Sequence, residues 1–133
     1  MKPSVIADTG PLYAAVDIDD IHHSRAQAEL TQLAKERRGV IVVYSTLLEA
    51  HALILRKLGI ATASEWLNEI LQSGALANPS VEDYLNATMK LAAMPDQAIT
   101  LFDATLAALS TRLNAPIWTY DHHFDVMRAK VWR

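Results

Sequence analysis

Cysteine is absent from all 133 residues, which excludes disulfides and thiolate metal sites and fits a reducing compartment. Long hydrophobic runs are lacking too. Val5-Ile6-Ala7 is far too short for a signal segment or membrane span, and Val40–Tyr44 is only strand-sized. A soluble, cytoplasmic protein with no membrane association is expected. There are no repeats, no low-complexity tract and no linker long enough to divide the chain, so residues 1–133 read as one domain. Basic excess is also missing: 12 Lys and Arg stand against 15 Asp and Glu, for a net charge of −3. That balance differs from many nucleic-acid binders, but it misleads if several of the acids hold a cation. The HExxH spacing of zinc enzymes does not occur. His22-His23 and His122-His123 are adjacent pairs, and neighbours on a helix point about 100° apart, so they do not easily share one ion. Zinc is not expected; His122 or His123, next to Asp121, could touch phosphate or, by preference, reads as part of a surface turn.

What is present begins with an ordinary globular balance, 51% apolar and 20% charged, enough to build a core without staples. Ser4–Ala7, Val40–Val43 and Pro116–Thr119 are short apolar runs without alternation, the pattern of strands covered on both faces. Lys130–Trp132 fits a short edge strand. Between them run helical stripes: Ala26, Leu30, Leu33, Ala34; then Ile60, Ala63, Leu67, Ile70, Leu71. A third is Val81, Tyr84, Leu85, Thr88, Leu91, Ala92, and a fourth Phe102, Leu106, Leu109, Leu113. Gly39, Gly59, Asn78-Pro79-Ser80 and Met94-Pro95-Asp96 punctuate these segments. The order βα, α, βα, α, α, α, βα, β predicts an α/β fold, with a parallel sheet and helices on both faces.

Four carboxylates fall where these strands give way to helices, or in a helix's first turn. Asp8 follows Val5-Ile6-Ala7, Glu49 closes Ser45-Thr46-Leu47-Leu48-Glu49, Asp103 follows Leu101-Phe102, and Asp121 follows Ile117-Trp118-Thr119-Tyr120. In an open parallel sheet such positions share one edge, where ligands bind. Each acid alone has a structural explanation. Thr46–Glu49 reads as a capping box and Thr100–Asp103 as a weaker one; Asp121 suits the N-cap of a short helix through Met127, and Asp8 an Asx turn. Taken together they argue for more, because Ser, Thr or Asn would cap as well as an acid. Asp103 shares its stripe with Thr100, Ala107 and Ser110, and Glu49 shares its own with Ser45, Ala52 and Leu53; no Lys or Arg stands one turn away. Four unpaired acids on one edge repel one another unless a cation sits among them, which points to a divalent-metal site.

In order along essentially the whole chain there is a strand with Asp8-Thr9, then a helix opening at Ser45 with Glu49. A late helix with Asp103-Ala104 follows, and then a strand ending Thr119-Tyr120-Asp121-His122-His123-Phe124. The chain thereby resembles the PIN-domain ribonucleases, closely those that act as toxins of VapBC-type toxin–antitoxin pairs. The resemblance implies a PIN-like domain with a sheet of order 3-2-1-4-5, Mg²⁺ or Mn²⁺ as cofactor, and endonuclease activity on RNA. It matches Asp8, Glu49, Asp103 and Asp121 to the family's metal-binding, catalytic acids. Thr9 and Thr119 match hydroxyls that steady the acids or bound water. Asp8 and Asp103 are expected as inner ligands, with Asp121 and Glu49 holding waters or a second ion. Asp125 reads as an outer ligand or, by preference, a surface residue.

An RNA backbone needs cationic partners, for which Arg56, Lys57, Arg128, Lys130 and Arg133 are candidates beside their reading as solvated faces. Tyr13, Tyr44 and Tyr120 could stack on bases or belong to the core. The family further implies a homodimer and a small antitoxin covering the acidic edge. Ile60–Leu71, with Trp66 off its main stripe, is a candidate partner surface or, for Trp66, core. The alternative function is a non-catalytic PIN-like binding or scaffold module, which gives no reason for keeping four acids. A haloacid-dehalogenase-type enzyme would need an acid where Gly10 stands, and a receiver domain a lysine after the late strand; neither fits.

Overall fold

The computed structural model describes residues 3–133. Strand β1 (Val5–Ala7) takes the centre of the sheet because all its side chains are apolar and buried on both faces. Strand β2 (Val40–Val43) runs parallel beside it, Val5 opposite Val40 and Ile6 opposite Ile41. Strand β3 (Ala75–Ala77) pairs with β2 on its outer side, and β4 (Ile117–Trp118) pairs with the other side of β1. The sheet order is β3-β2-β1-β4, all parallel. Beyond β4, Val131 makes one parallel bridge to Ile117.

The α/β class and the parallel sheet thus agree with the sequence, while two strands differ in detail. Ala75-Leu76-Ala77 was not legible as a strand, since it is short and alanine-rich; pairing with β2, not intrinsic preference, extends it. Lys130–Trp132 shrinks to the bridge, held by Ile117 N–H donating to the Lys130 carbonyl (2.8 Å) and Trp132 N–H donating to that of Ile117 (2.9 Å).

Among the described residues seven helices cover the sheet: α1 (Thr9–Val16), α2 (His23–Lys35), α3 (Tyr44–Leu58), α4 (Ile60–Ser73), α5 (Val81–Ala92), α6 (Leu101–Leu113) and the short α7 (His123–Val126). Alternate strand residues point to opposite faces and so feed two cores. Val5, Ala7, Val42 and Trp118 pack under α1 to α4 with Leu12, Leu33, Ile54 and Trp66. Ile6, Val43 and Ile117 pack with Leu106, Leu109 and Phe124 on the α5–α7 side. Trp66 is therefore core, and of the expected α4 stripe Ile60 and Leu71 point outward. Gly59, at φ 93°, makes the sharp break between α3 and α4 that a side chain would strain.

The α5 stripe is a correction. Val81 (77% exposed), Tyr84 and Leu85 (60% exposed) face outward, and α5 turns Asp83 and Ala87 inward instead. An ion pair decides this orientation. The buried Asp83 carboxylate accepts from Arg112 Nε (2.9 Å) and Nη2 (2.9 Å) on α6, and from the Ser80 N–H (2.8 Å) as half of a complete capping box. Small Ala87 then lets α5 come close to α6. Helix α6 is itself buried on nearly every side from Asp103 to Ser110, so it is a rigid central element and not an amphipathic surface helix.

Because β1, β2 and β4 are parallel, their C-terminal ends lie on one edge. Asp8, the start of α3, and Thr119–Asp121 all leave the sheet there.

The Arg112 guanidinium beside Asp83 holds its carboxyl below the usual carboxylate range, outweighing the effect of burial. The pair's stabilisation is present above the unfolded carboxyl pKa of about 4 and is lost as pH falls through the lowered folded value. Asp83→Ala is expected to cost about 2–3 kcal/mol at neutral pH in urea unfolding. The gap between variant and wild type should close in acid.

Candidate metal centre

Asp8 continues the sheet through its own N–H, which donates to the Trp118 carbonyl (2.9 Å), and then caps α1. Its Oδ1 accepts the Thr9 N–H at 2.8 Å, and its Oδ2 accepts the Thr119 hydroxyl at 2.8 Å. The Thr119 oxygen in turn accepts the Asp121 N–H at 3.0 Å. One hydroxyl thereby links the first acid to the backbone of the fourth. Asp121 Oδ1 accepts the His123 N–H (2.9 Å), which fixes the turn into α7 without serving as its N-cap.

Asp103 stands in the first turn of α6, whose N-cap Thr100 accepts the Asp103 N–H through its hydroxyl (3.1 Å). Only that half of the box forms, so the carboxylate is left to face the edge. The Thr46–Glu49 box does not form at all. Helix α3 starts at Tyr44 with Val43 as its N-cap, which places Thr46 inside the helix, where its buried hydroxyl finds no partner among the described residues. Glu49 is consequently an exposed carboxylate on the face of α3, not a capping group.

All four acids line one open cleft of about 520 Å³, with Thr9, Phe102 and Tyr120 among its walls and no Lys or Arg among the described residues that line it. Asp8 and Asp103 are each only 8% exposed. Burial pushes the Asp103 carboxyl up to about 6, helped by the charges of Asp8 and Asp121 and opposed by His123 and Thr100. Burial raises Asp8 as well; its bonds from Thr119 and Thr9 pull it back, while Asp121 and Glu49 push it further up. Burial and mutual repulsion thus both oppose ionisation of Asp8 and Asp103. The four acids themselves offer only oxygen donors, the set that suits a hard divalent cation.

The residues outside the quartet divide. Thr119 is built into the cluster, and the buried Thr9 hydroxyl beside it has no partner among the described residues. Asp125 lies apart, paired to Arg133 Nη2 at 2.9 and 3.1 Å on the surface. Arg56, Lys57, Arg128 and Lys130 do not line the cleft. Lys57 lies over the Tyr13 ring, 5.4 Å from its centroid, and Tyr13 itself is buried with its hydroxyl donating to Asp17. Of the tyrosines, only Tyr120 reaches the acids.

Two residues beside the acids differ from the sequence reading. His123, read by preference as part of a surface turn, has its Nδ1 3.9 Å from Asp103 Oδ2 and 3.6 Å from Asp121 Oδ1, so it belongs to the cluster while His122 stays on the surface. The α7 turn also gathers one ligand atom each from Asp121, His122 and His123 within 4.8 Å of one another. Arg25, from the first turn of α2, packs over Tyr120 at 4.1 Å from the ring centroid. Arg25 has no sequence signal, because packing of α2 against the segment after β4, and not periodicity, brings it to the edge.

No protein-family profile and no curated protein matches the chain. Solved structures do. VapC20 from Mycobacterium tuberculosis, a Sarcin-Ricin loop cleaving toxin, superposes with a TM-score of 0.81 at 19% identity, covering 98% of this chain and 99% of that one. VapBC2 from Rickettsia felis, bound to a DNA fragment from its promoter, gives 0.76 at 16% identity over 99% and 98%. PAE2754 from Pyrobaculum aerophilum gives 0.62 at 21% identity over 93% and 78%. The chain has the fold of these proteins.

Asp103→Asn is expected to raise the stability of the metal-free protein at pH 7.5. A carboxyl whose folded pKa is raised destabilises the fold when ionised, and that cost vanishes as pH falls toward the unfolded value. The gain should be about 1–3 kcal/mol at pH 7.5 and near zero by pH 4, read from paired thermal melts in EDTA.

Proposed function

We propose that the chain is a metal-dependent endoribonuclease, built as one domain over residues 1–133, and the toxin of a toxin–antitoxin pair. One observation carries this reading: four carboxylates from four separate parts of the fold meet in a cleft with no Lys or Arg among the described residues that line it. Mg²⁺ or Mn²⁺ is the fitting cofactor for an all-oxygen set with two buried members. Asp8 and Asp103, the buried pair, are read as the inner ligands, with Asp121 and Glu49 at the rim holding waters or a second ion. A divalent cation, if held by these four acids, would supply Lewis-acid activation for phosphodiester hydrolysis.

The chain's own residues do the positioning. Thr119 holds Asp8 by one oxygen and leaves the other side of the carboxylate committed only to the Thr9 N–H. Thr100 fixes the turn that aims Asp103. The His123 ring stands between Asp103 and Asp121, its Nδ1 3.9 and 3.6 Å from their carboxylate oxygens. RNA is the substrate class that this reading takes from the VapC resemblance and from the toxin whose fold the chain shares.

An antitoxin partner follows from the same likeness, since one of the similar structures is a VapBC assembly. The exposed side chains Ile60 and Leu71 on α4 and Val81, Leu85 and Met89 on α5 offer apolar surface to such a partner or to a second copy in a homodimer. No helix among the described residues is long and apolar enough to cross a membrane, which accords with a cytoplasmic site of action.

Purified protein should cut a total-RNA pool in Mn²⁺ or Mg²⁺ and stop in EDTA. Asp103→Asn should slow cutting by about two to three orders of magnitude, the scale of removing one electrostatic contact to a transition state. A folded protein that cuts nothing and binds Mn²⁺ no better than its Asp103→Asn variant would be a binding module.

A further inference from the structure

A second cleft of about 290 Å³ adjoins the acidic one, and Tyr120 and Asp121 line both. Arg25 and Arg133 stand in the walls of this second cleft, so it presents two guanidiniums where the first presents none. Arg25 is held in place. Besides lying over Tyr120, its Nε is 3.4 Å from Glu29 Oε2, one helical turn on. Glu29 is fixed in turn, its Oε1 accepting from Trp118 Nε1 at 3.1 Å and from the Tyr120 hydroxyl at 2.5 Å. Trp118 is fully buried in β4.

The chain of contacts therefore starts in the sheet and ends at a guanidinium whose side chain is still 46% exposed. It runs through residues 118–121, the same segment that carries Thr119 and Asp121. A planar cation restrained in this way has lost much of its rotamer freedom before any ligand arrives, which suits it to a phosphate. Arg133 commits only Nη2 to Asp125, offsetting that acid's charge within the cleft, and its side chain is 63% exposed.

An RNA strand carries a phosphate at every nucleotide, so one seated among the carboxylates brings its neighbour to the adjoining cleft. A cation bound to the acids would offset charge at the first phosphate only. Taking the acidic cleft as the ribonuclease centre, on which this rests, we infer that Arg25 and Arg133 form a subsite for the RNA backbone phosphate next to the one at the carboxylates. Arg25 binds and orients, and Tyr120 and Glu29 position it. Of the cations that sequence alone suggests, Arg133 lines this cleft, while Arg56, Lys57, Arg128 and Lys130 line neither.

The test is the affinity of a fluorescein-labelled single-stranded RNA for the full chain by anisotropy. It is run in Ca²⁺ across a salt series, with RNA integrity checked on gels. Arg25→Gln should weaken binding about tenfold and flatten the slope of log K against log salt by about 0.7. Arg25→Lys should keep the slope and lose part of the affinity. Arg133→Gln should change both in the direction of Arg25→Gln; its side-chain bonds go only to Asp125, so it keeps the test decisive if Arg25→Gln loses its near-ultraviolet dichroism. Mn²⁺ affinity, followed by tryptophan fluorescence, should be unchanged in all three. If the wild type binds and cuts RNA while Arg25→Gln and Arg133→Gln match its affinity and slope, the subsite is overturned and the ribonuclease reading stands. If the wild type neither binds nor cuts, both fall. Unchanged RNA affinity with lost binding of a glutamate-rich peptide would assign the cleft to a protein ligand and overturn the inference.

Discussion

Carboxylates repel most strongly where water is scarce, and this fold gathers two nearly buried ones, Asp8 and Asp103, with two more at the rim of the same cleft. Nearly everything around them answers that repulsion. Asp8 sits at the N-terminus of α1 and Asp103 in the first turn of α6, where the helix dipoles favour negative charge. The Thr9 N–H and the Thr119 hydroxyl each give Asp8 a hydrogen bond, yet burial still outweighs them and leaves its carboxyl raised. The compensation inside the chain is incomplete, and a bound cation would supply the remainder. By linkage, the repulsion that lowers the stability of the fold by itself would be relieved by a cation bound there and would tighten that binding.

Such a cluster needs stiff supports, because acids free to move would drift apart. The supports are an all-parallel sheet with apolar cover on both faces and a helix, α6, buried on almost every side along its middle. Helix α5 locks onto α6 through the buried Asp83 and its Arg112 partner, so an ion pair remote from the cleft helps hold the helix that carries Asp103. On the opposite side, the Trp118–Glu29–Tyr120 contacts tie α2 to the end of β4. Thr119 lies within that tie. Its hydroxyl is the smallest element of the centre and the one that joins two acids from different strands.

Structural likeness at 16 to 21% identity carries the architecture and not the chemistry, since one fold hosts many activities. The proposal of nuclease chemistry rests on the quartet itself: acids just after β1, on α3 and α6, and shortly after β4, in a cleft with no Lys or Arg among the described residues that line it. Helix α5 also exposes an apolar row, Val81, Leu85 and Met89, on a different face from Asp83 and Ala87, which pack inward.

Local pattern reveals whatever depends on neighbours in the chain. Unalternating runs such as Val5-Ile6-Ala7 and Val40–Val43 announce strands buried on both faces, and acids at their ends announce an edge rich in charge. From these the α/β class, the parallel sheet and the four clustered carboxylates were legible before any coordinates. Other features depend on groups distant in sequence. Ala75–Ala77 is a strand only because β2 offers it a ladder, and α5 turns Asp83 inward only because Arg112, 29 residues on, meets it there. The Thr46–Glu49 pattern fits a capping box, but the helix starts three residues too early for one, since Val43 is still in its strand and caps α3 directly. His123 and Arg25 join the site through a tight turn and a contact between α2 and β4 that no periodicity encodes. The sequence by itself determined which elements form and which edge carries the acids, because those follow from hydrophobic period and chain direction. Which helix faces are buried, which hydroxyl joins the acids and which cations stand beside them were decided only by tertiary structure, because each depends on the partner that long-range packing brings within a few ångströms.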